Sequence, residues 1–135
     1  MDRILEQVGS RSLISRLSIV ELESVFAIKL RTREIDQPAL KVARRRFRAD
    51  LARERLIVAP PVHEGHFQSA RKLLVQYGVD EGLRTLDALQ LAIALDLHRL
   101  GDITALVAAD QRLCRVAPLA GCTAINPEQP GPLLI

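Results

Sequence analysis

Three carboxylates in this 135-residue chain are placed where chemistry is done in alternating α/β folds: Glu21, Asp87 and Asp110. Glu21 and Asp110 each sit just past an apolar run with strand character, and Asp87 opens the first turn of an apolar helix. In open α/β sheets, ligands gather in the crevice at the carboxyl ends of the strands. Three acids converging there would repel one another unless a cation neutralised them. A hard divalent ion with oxygen ligands, Mg²⁺ or Mn²⁺, suits such a set. It would activate a water and steady the charge building on a phosphoryl group during in-line hydrolysis. Each acid also has a plainer role. Glu21 would close a capping box with Ser18, Asp87 would follow Thr85 as N-cap and complement the helix dipole, and Asp110 would itself be an N-cap.

The elements that position these acids follow from periodicity. The centre of the fold is Arg84 to Leu100, where Leu86, Leu89, Ile93, Leu97 and Leu100 recur at helical spacing. Ala88, Leu91, Ala92 and Leu95 add a second apolar face, so this helix is apolar on most sides and belongs inside the fold. Before it, Met1 to Val8 predicts a short helix ended by Gly9, Arg11 to Arg16 a short strand, and Ser18 onward a helix through Leu22, Val25, Phe26 and Lys29. Asp36 or Gln37-Pro38 opens the next helix, with Pro38 suited to its first turn and a buried stripe of Leu40, Ala43, Phe47 and Leu51. Leu56 to Ala59 is a buried strand stopped by Pro60-Pro61. A helix from His63 runs through Phe67, Ala70, Leu73 and Leu74 to Gly78. After Gly101, Ile103 to Ala108 and Cys122 to Ile125 are strands, with a helix from Asp110 between them. This alternation predicts an α/β fold with a parallel sheet. Residues 1–127 make one domain and residues 128–135 a Pro-rich tail.

Other features are weaker. Lys41, Arg44, Arg45, Arg46 and Arg48 line one helix face, with Arg53 and Arg55 beyond. Such a face holds phosphates or an acidic segment, or is simply solvated. His63-Glu64-Gly65-His66 is not the H-E-x-x-H zinc motif: its histidines are three apart and the sequence offers no third ligand. His98 is a lone histidine late in a helix.

Composition excludes several classes. Aromatics are 3% with no Trp, which argues against base stacking as a binding mode. The net charge of +3 permits an anionic partner without requiring one. Cys114 and Cys122 form no C-x-x-C pair, which reads as reduced thiols of a cytoplasmic protein. No run approaches the roughly 18 apolar residues of a membrane span, and no signal peptide opens the chain. A phosphoacceptor receiver domain would want an acid pair early and a Lys late, but no Lys follows Lys72.

Three stretches together resemble the PIN-domain family, in particular the VapC-like toxins of bacterial toxin–antitoxin pairs. They are Leu17-Ser18-Ile19-Val20-Glu21-Leu22, Arg84-Thr85-Leu86-Asp87-Ala88-Leu89-Gln90-Leu91-Ala92, and Leu106-Val107-Ala108-Ala109-Asp110-Gln111-Arg112-Leu113. The resemblance spans Ser15 to Pro127. It implies a three-layer α/β/α fold and an Mg²⁺- or Mn²⁺-dependent endoribonuclease, dimeric and held inactive by a cognate VapB-like antitoxin. By resemblance, Glu21, Asp87 and Asp110 match the family's second, third and fourth acids. Arg84 and Arg112, close in sequence to two of these acids, would hold the RNA backbone or simply be solvated.

The chain departs from the family twice. The family opens with a central strand ending in an Asp that is a principal metal ligand, and no residue here matches it; Asp2 is no substitute. Ala108 stands where a Thr or Ser is common. The expectation is therefore a sheet whose first strand is missing or rearranged. Either the chain dimerises with strand rearrangement or its N-terminal segment packs into the gap, because unpaired strand edges seek partners. A true start upstream of Met1, a truncation, and a degenerate, non-catalytic relative that only binds antitoxin or RNA are the competing explanations.

Overall fold

The structure, a computed structural model, describes residues 12–127. The helix expected over Met1 to Val8, any rearrangement of the first residues, and the tail from residue 128 lie outside them. Four short strands and five helices alternate: β1 (Ser12–Ile14), α1 (Arg16–Arg31), α2 (Gln37–Ala52), β2 (Leu56–Val58), α3 (Glu64–Tyr77), α4 (Thr85–Arg99), β3 (Leu106–Val107), α5 (Gln111–Leu119) and β4 (Ala124–Ile125). β1 pairs with β2, Ser12 opposite Leu56 and Ile14 opposite Val58, and β3 pairs with β4, Leu106 opposite Ala124. Both pairings are parallel, as the alternation of elements predicts. The chain divides into two units at Pro61–Val62.

The N-terminal unit is lightly packed. Ser15, not Ser18, is the N-cap of α1, its Oγ accepting the Ser18 N–H at 3.0 Å. Glu21 is therefore in the second turn of α1, which removes its expected capping-box role. No residue of α1 is buried, and Val20 is 69% exposed. Asp36 caps α2 by accepting the Ala39 N–H at 2.9 Å, with Pro38 in the first turn as predicted. Of the expected α2 stripe only Leu40 is buried; Ala43, Phe47 and Leu51 are half-buried. Arg44 ties α2 to α1, 2.6 Å from Glu23 and 6.0 Å above the Phe26 ring. Both helices end on a non-glycine residue in the left-handed region, Arg33 (φ 63°) and Glu54 (φ 55°). Each is locked by an N–H of the following residue reaching back to the helix: Glu34 to Lys29 O and Arg55 to Asp50 O.

The C-terminal unit holds the main core. α4 buries Ala88, Leu91, Ala92, Ile93, Ala94 and Leu97, joined by Ala70 and Leu73 of α3, Leu113, Val116 and Ala117 of α5, Leu83 and Cys122. The apolar helix read from the sequence is thus the central one, although Leu86 and Leu100 of its expected stripe are 41% and 64% exposed. Their position outside the core follows from the ends of α4, where the helix surface is no longer covered. The small residues Ala88, Ala92 and Ala94 permit close approach of neighbouring elements, which fills the interior without aromatics. Gly78 ends α3, and Gly101 (φ 80°) turns the chain after α4. β3 covers only two residues of the longer run Ile103 to Ala108.

Candidate functional site

Asp87 and Asp110 both stand at helix N-termini of the C-terminal unit, α4 and α5. Arg84, not Thr85, is the N-cap of α4, and its backbone N–H donates to Asp87 Oδ2 at 3.3 Å. Asp110 caps α5, Oδ1 accepting the Leu113 N–H at 3.1 Å. Each acid spends one oxygen on a backbone N–H. The other oxygen, Oδ1 of Asp87 and Oδ2 of Asp110, accepts no hydrogen bond among the described residues.

A side chain of α5 links the two helix starts. Arg112, two residues after Asp110, places Nη1 3.7 Å from Asp87 Oδ2. That nitrogen is buried and has no hydrogen-bond partner among the described residues. Gly82, in the left-handed region at φ 69°, runs its backbone alongside the guanidinium, where an added Cβ would lie 3.7 Å from Arg112 Nε. Arg84, by contrast, has an exposed side chain. Glu21 belongs to the N-terminal unit, half-buried on α1. The structure thus links the starts of α4 and α5 through the Arg112–Asp87 contact, with Asp110 two residues before Arg112 in the chain, and places Glu21 in the other unit.

A second cluster was not foreseen. The third group missing from the His63–His66 stretch is Asp96 of α4, 30 residues on. His66 Nε2 is 3.1 Å and His63 Nε2 3.9 Å from Asp96 Oδ2, and the two rings stack at 3.8 Å. Arg99 donates to the other Asp96 oxygen. The Arg99 hydrogen bond first, with His66 adding to it, holds the Asp96 carboxyl below its ordinary range despite partial desolvation. The backbone decides what this cluster does. His63 Nδ1 accepts the Gly65 N–H and His66 Nδ1 accepts the His63 N–H, both at 3.1 Å. A neutral imidazole that accepts at Nδ1 carries its proton on Nε2, the atom facing Asp96. A metal on Nε2 would push that proton to Nδ1, against the incoming backbone N–H. The cluster is therefore built as a hydrogen-bonded clamp of α3 on α4. Only its His half is legible in the sequence, as a pair at the start of a helix.

The thiols are quiet. Burial raises both, Cys114 also feeling the charge of Asp110, so neither has the lowered pKa of a reactive cysteine. Both are free. Among the described residues no helix is long and apolar enough to cross a membrane.

The PIN domain family matches residues 1–119, most of the chain, and the chain belongs to that family. No curated protein and no solved structure matches it. The family gives a nuclease-like α/β/α fold class, with which five helices and short parallel sheets agree. PIN domains generally depend on divalent metals, commonly bind RNA and often pair with antitoxins. The donor chemistry here fits such an ion: carboxylate oxygens, hard and anionic, each with one oxygen not taken by the backbone. The His63–His66–Asp96 cluster fits less well, because both Nδ1 atoms and His66 Nε2 are already hydrogen-bonded.

Proposed function

We propose that this chain is a metal-dependent endoribonuclease of PIN type, the toxin component of a VapBC-like toxin–antitoxin system. Asp87 and Asp110 hold Mg²⁺ or Mn²⁺, with Glu21 as the third acid, directly or through water. The observation that carries this reading is the pair of helix-capping carboxylates on α4 and α5 in a chain of the PIN family.

The chain's own residues do the following work. Backbone N–H groups at the N-termini of α4 and α5 hold one oxygen of each carboxylate and leave the other for a cation. The bound ion would supply a water of lowered pKa and counter-charge for the phosphoryl oxygens. Arg112 and Arg84 hold the RNA backbone, and the exposed Lys41–Arg48 face of α2 offers further phosphate contacts. A homodimer and a cognate VapB-like antitoxin belong to the same proposal. A non-catalytic PIN module that binds antitoxin or RNA is the second reading. The observation in its favour is the lack of a residue matching the family's first Asp.

The deciding experiment is cleavage of a mixed RNA pool by this chain with Mn²⁺, beside Asp87→Asn and Asp110→Asn. Cleavage abolished by both substitutions and by chelation supports the nuclease. Cleavage that either variant retains removes it, and no cleavage by any form leaves the binding module.

A further inference from the structure

Arg112 and Asp87 make an ion pair unlike the others described. The Arg44–Glu23 and Arg115–Glu81 pairs are hydrogen-bonded at 2.6 and 2.8 Å, and Arg115 adds a second bond to the Glu81 carbonyl oxygen. Those pairs are the more exposed, with side chains 44% and 56% and 54% and 29% exposed. The Arg112–Asp87 side chains are 33% and 16% exposed, the most sheltered Arg–acid pair among those described, yet they stop at 3.7 Å. That separation is beyond a hydrogen bond, so the contact is charge attraction with the donor unspent. A buried donor left unpaired is costly. A contact kept for stability alone would have closed the gap, as Arg115 does. Asp87 Oδ2 meanwhile already receives the Arg84 N–H. The guanidinium thus supplies positive charge to the carboxylate without being fastened to it.

We propose that Arg112 is the resident counter-ion of Asp87, a built-in cation that a divalent ion displaces when it takes that carboxylate. The inference rests on Asp87 being a metal ligand, as in the nuclease reading above. Its chemistry is the exchange of one cation for another at a single carboxylate. Sheltering strengthens the resident pair, because screening by water is reduced. The absence of a hydrogen bond keeps its release easy. Arg112 therefore sets the metal concentration at which the site fills, and it spares Asp87 an uncompensated charge before then.

The test is Mn²⁺ titration of the chelator-treated full chain by calorimetry. The proteins compared are wild type, Arg112→Gln, Arg115→Gln and Asp87→Asn, with folding of each checked by circular dichroism. Arg115→Gln removes the same charge from the same helix without touching Asp87. The proposal expects Arg112→Gln to tighten Mn²⁺ binding about fivefold or more, with Arg115→Gln within about twofold of wild type. Equal tightening by both substitutions, or none by Arg112→Gln, overturns it. Mn²⁺ binding that survives in Asp87→Asn, or that is absent from wild type and Arg112→Gln alike, overturns the metal-ligand reading as well. Binding lost in Asp87→Asn but unchanged in Arg112→Gln removes the counter-ion alone. Thermal melts without metal give an independent reading. Arg112→Gln lowers the melting temperature of wild type but not that of Asp87→Asn, and equal lowering in both backgrounds contradicts the pairing.

Discussion

The two units of this chain invest their sequence differently. Between residues 62 and 127 lie thirteen of the seventeen buried apolar residues, and six Lys and Arg against seven Asp and Glu. Between residues 12 and 61 lie four buried apolar residues, and eleven Lys and Arg against six Asp and Glu. One unit is a packed scaffold with little net charge, and it carries Asp87 and Asp110. The other is a thinly packed, basic pair of helices with a short sheet, and it carries Glu21. Burial stabilises and rigidifies the first, whereas the second exposes apolar and basic surface suited to meeting something else. The proposed chemistry needs both kinds of surface: fixed carboxylates for a cation and a positive face for a polyanion.

Core truncation is the hardest way to break this contrast. Leu91→Ala, at a fully buried site on α4, should cost about 3 kcal/mol in urea denaturation, and Val25→Ala, 44% exposed on α1, less than about 0.5 kcal/mol. Equal losses would erase the distinction between the units. The clamp comes next. Asp96→Asn should cost about 1–2 kcal/mol near neutral pH, because it leaves buried His66 without its carboxylate. Its pH dependence has a definite sign. The Asp96 carboxyl sits below its ordinary 3.8 when folded, so its contribution is complete above that pH. It is lost as the pH falls through the lower folded value. Acid melts should therefore show the gap between wild type and Asp96→Asn shrinking as the pH falls below 3.8 and closing below the folded value, and curves that stay parallel throughout would remove the assigned role.

Smaller effects sharpen the basic side of the comparison. If α2 tracks phosphates, Arg45→Gln with Arg48→Gln should lower the slope of log affinity for single-stranded RNA against log salt by about 1. An unchanged slope in fluorescence anisotropy would return that face to solvent. The smallest effect is conformational. Arg33 closes α1 at φ 63°, where glycine is at ease, so Arg33→Gly should raise stability by about 0.5–1 kcal/mol. A loss on thermal melting would mean that the Arg33 side chain stabilises the turn more than its backbone strains it.

What could be read from the sequence was what neighbouring residues settle among themselves. The apolar run from Ala88 to Leu97 declared the central helix, and Asp36-Gln37-Pro38 and Asp110 declared helix starts that the structure keeps. Two boundaries moved by local competition. Ser15 and Ser18 are both fit to cap, and Ser15 prevails where β1 ends, which carries Glu21 into the helix interior. Thr85 is the better capping type, yet Asp87 closes back on the Arg84 N–H and sets the start one residue earlier. The extent of strand pairing was not legible, because an apolar run such as Ile103 to Ala108 does not state how many of its residues meet a partner. Nor were the long-range pairs. Asp96 meets His66 only because α3 packs on α4, and Arg112 meets Asp87 only because α5 brings it there. The candidate acids were thus readable one at a time, and their charge partners were not.

The most direct test of the account is hydrogen exchange of the full chain with and without Mn²⁺, read by mass spectrometry. It predicts slowed exchange at the starts of α4 and α5, around Asp87 and Asp110, and around Glu21, with the His63–His66 segment unchanged. Slowing at His63–His66 without any at Asp87, or no slowing anywhere, would contradict it.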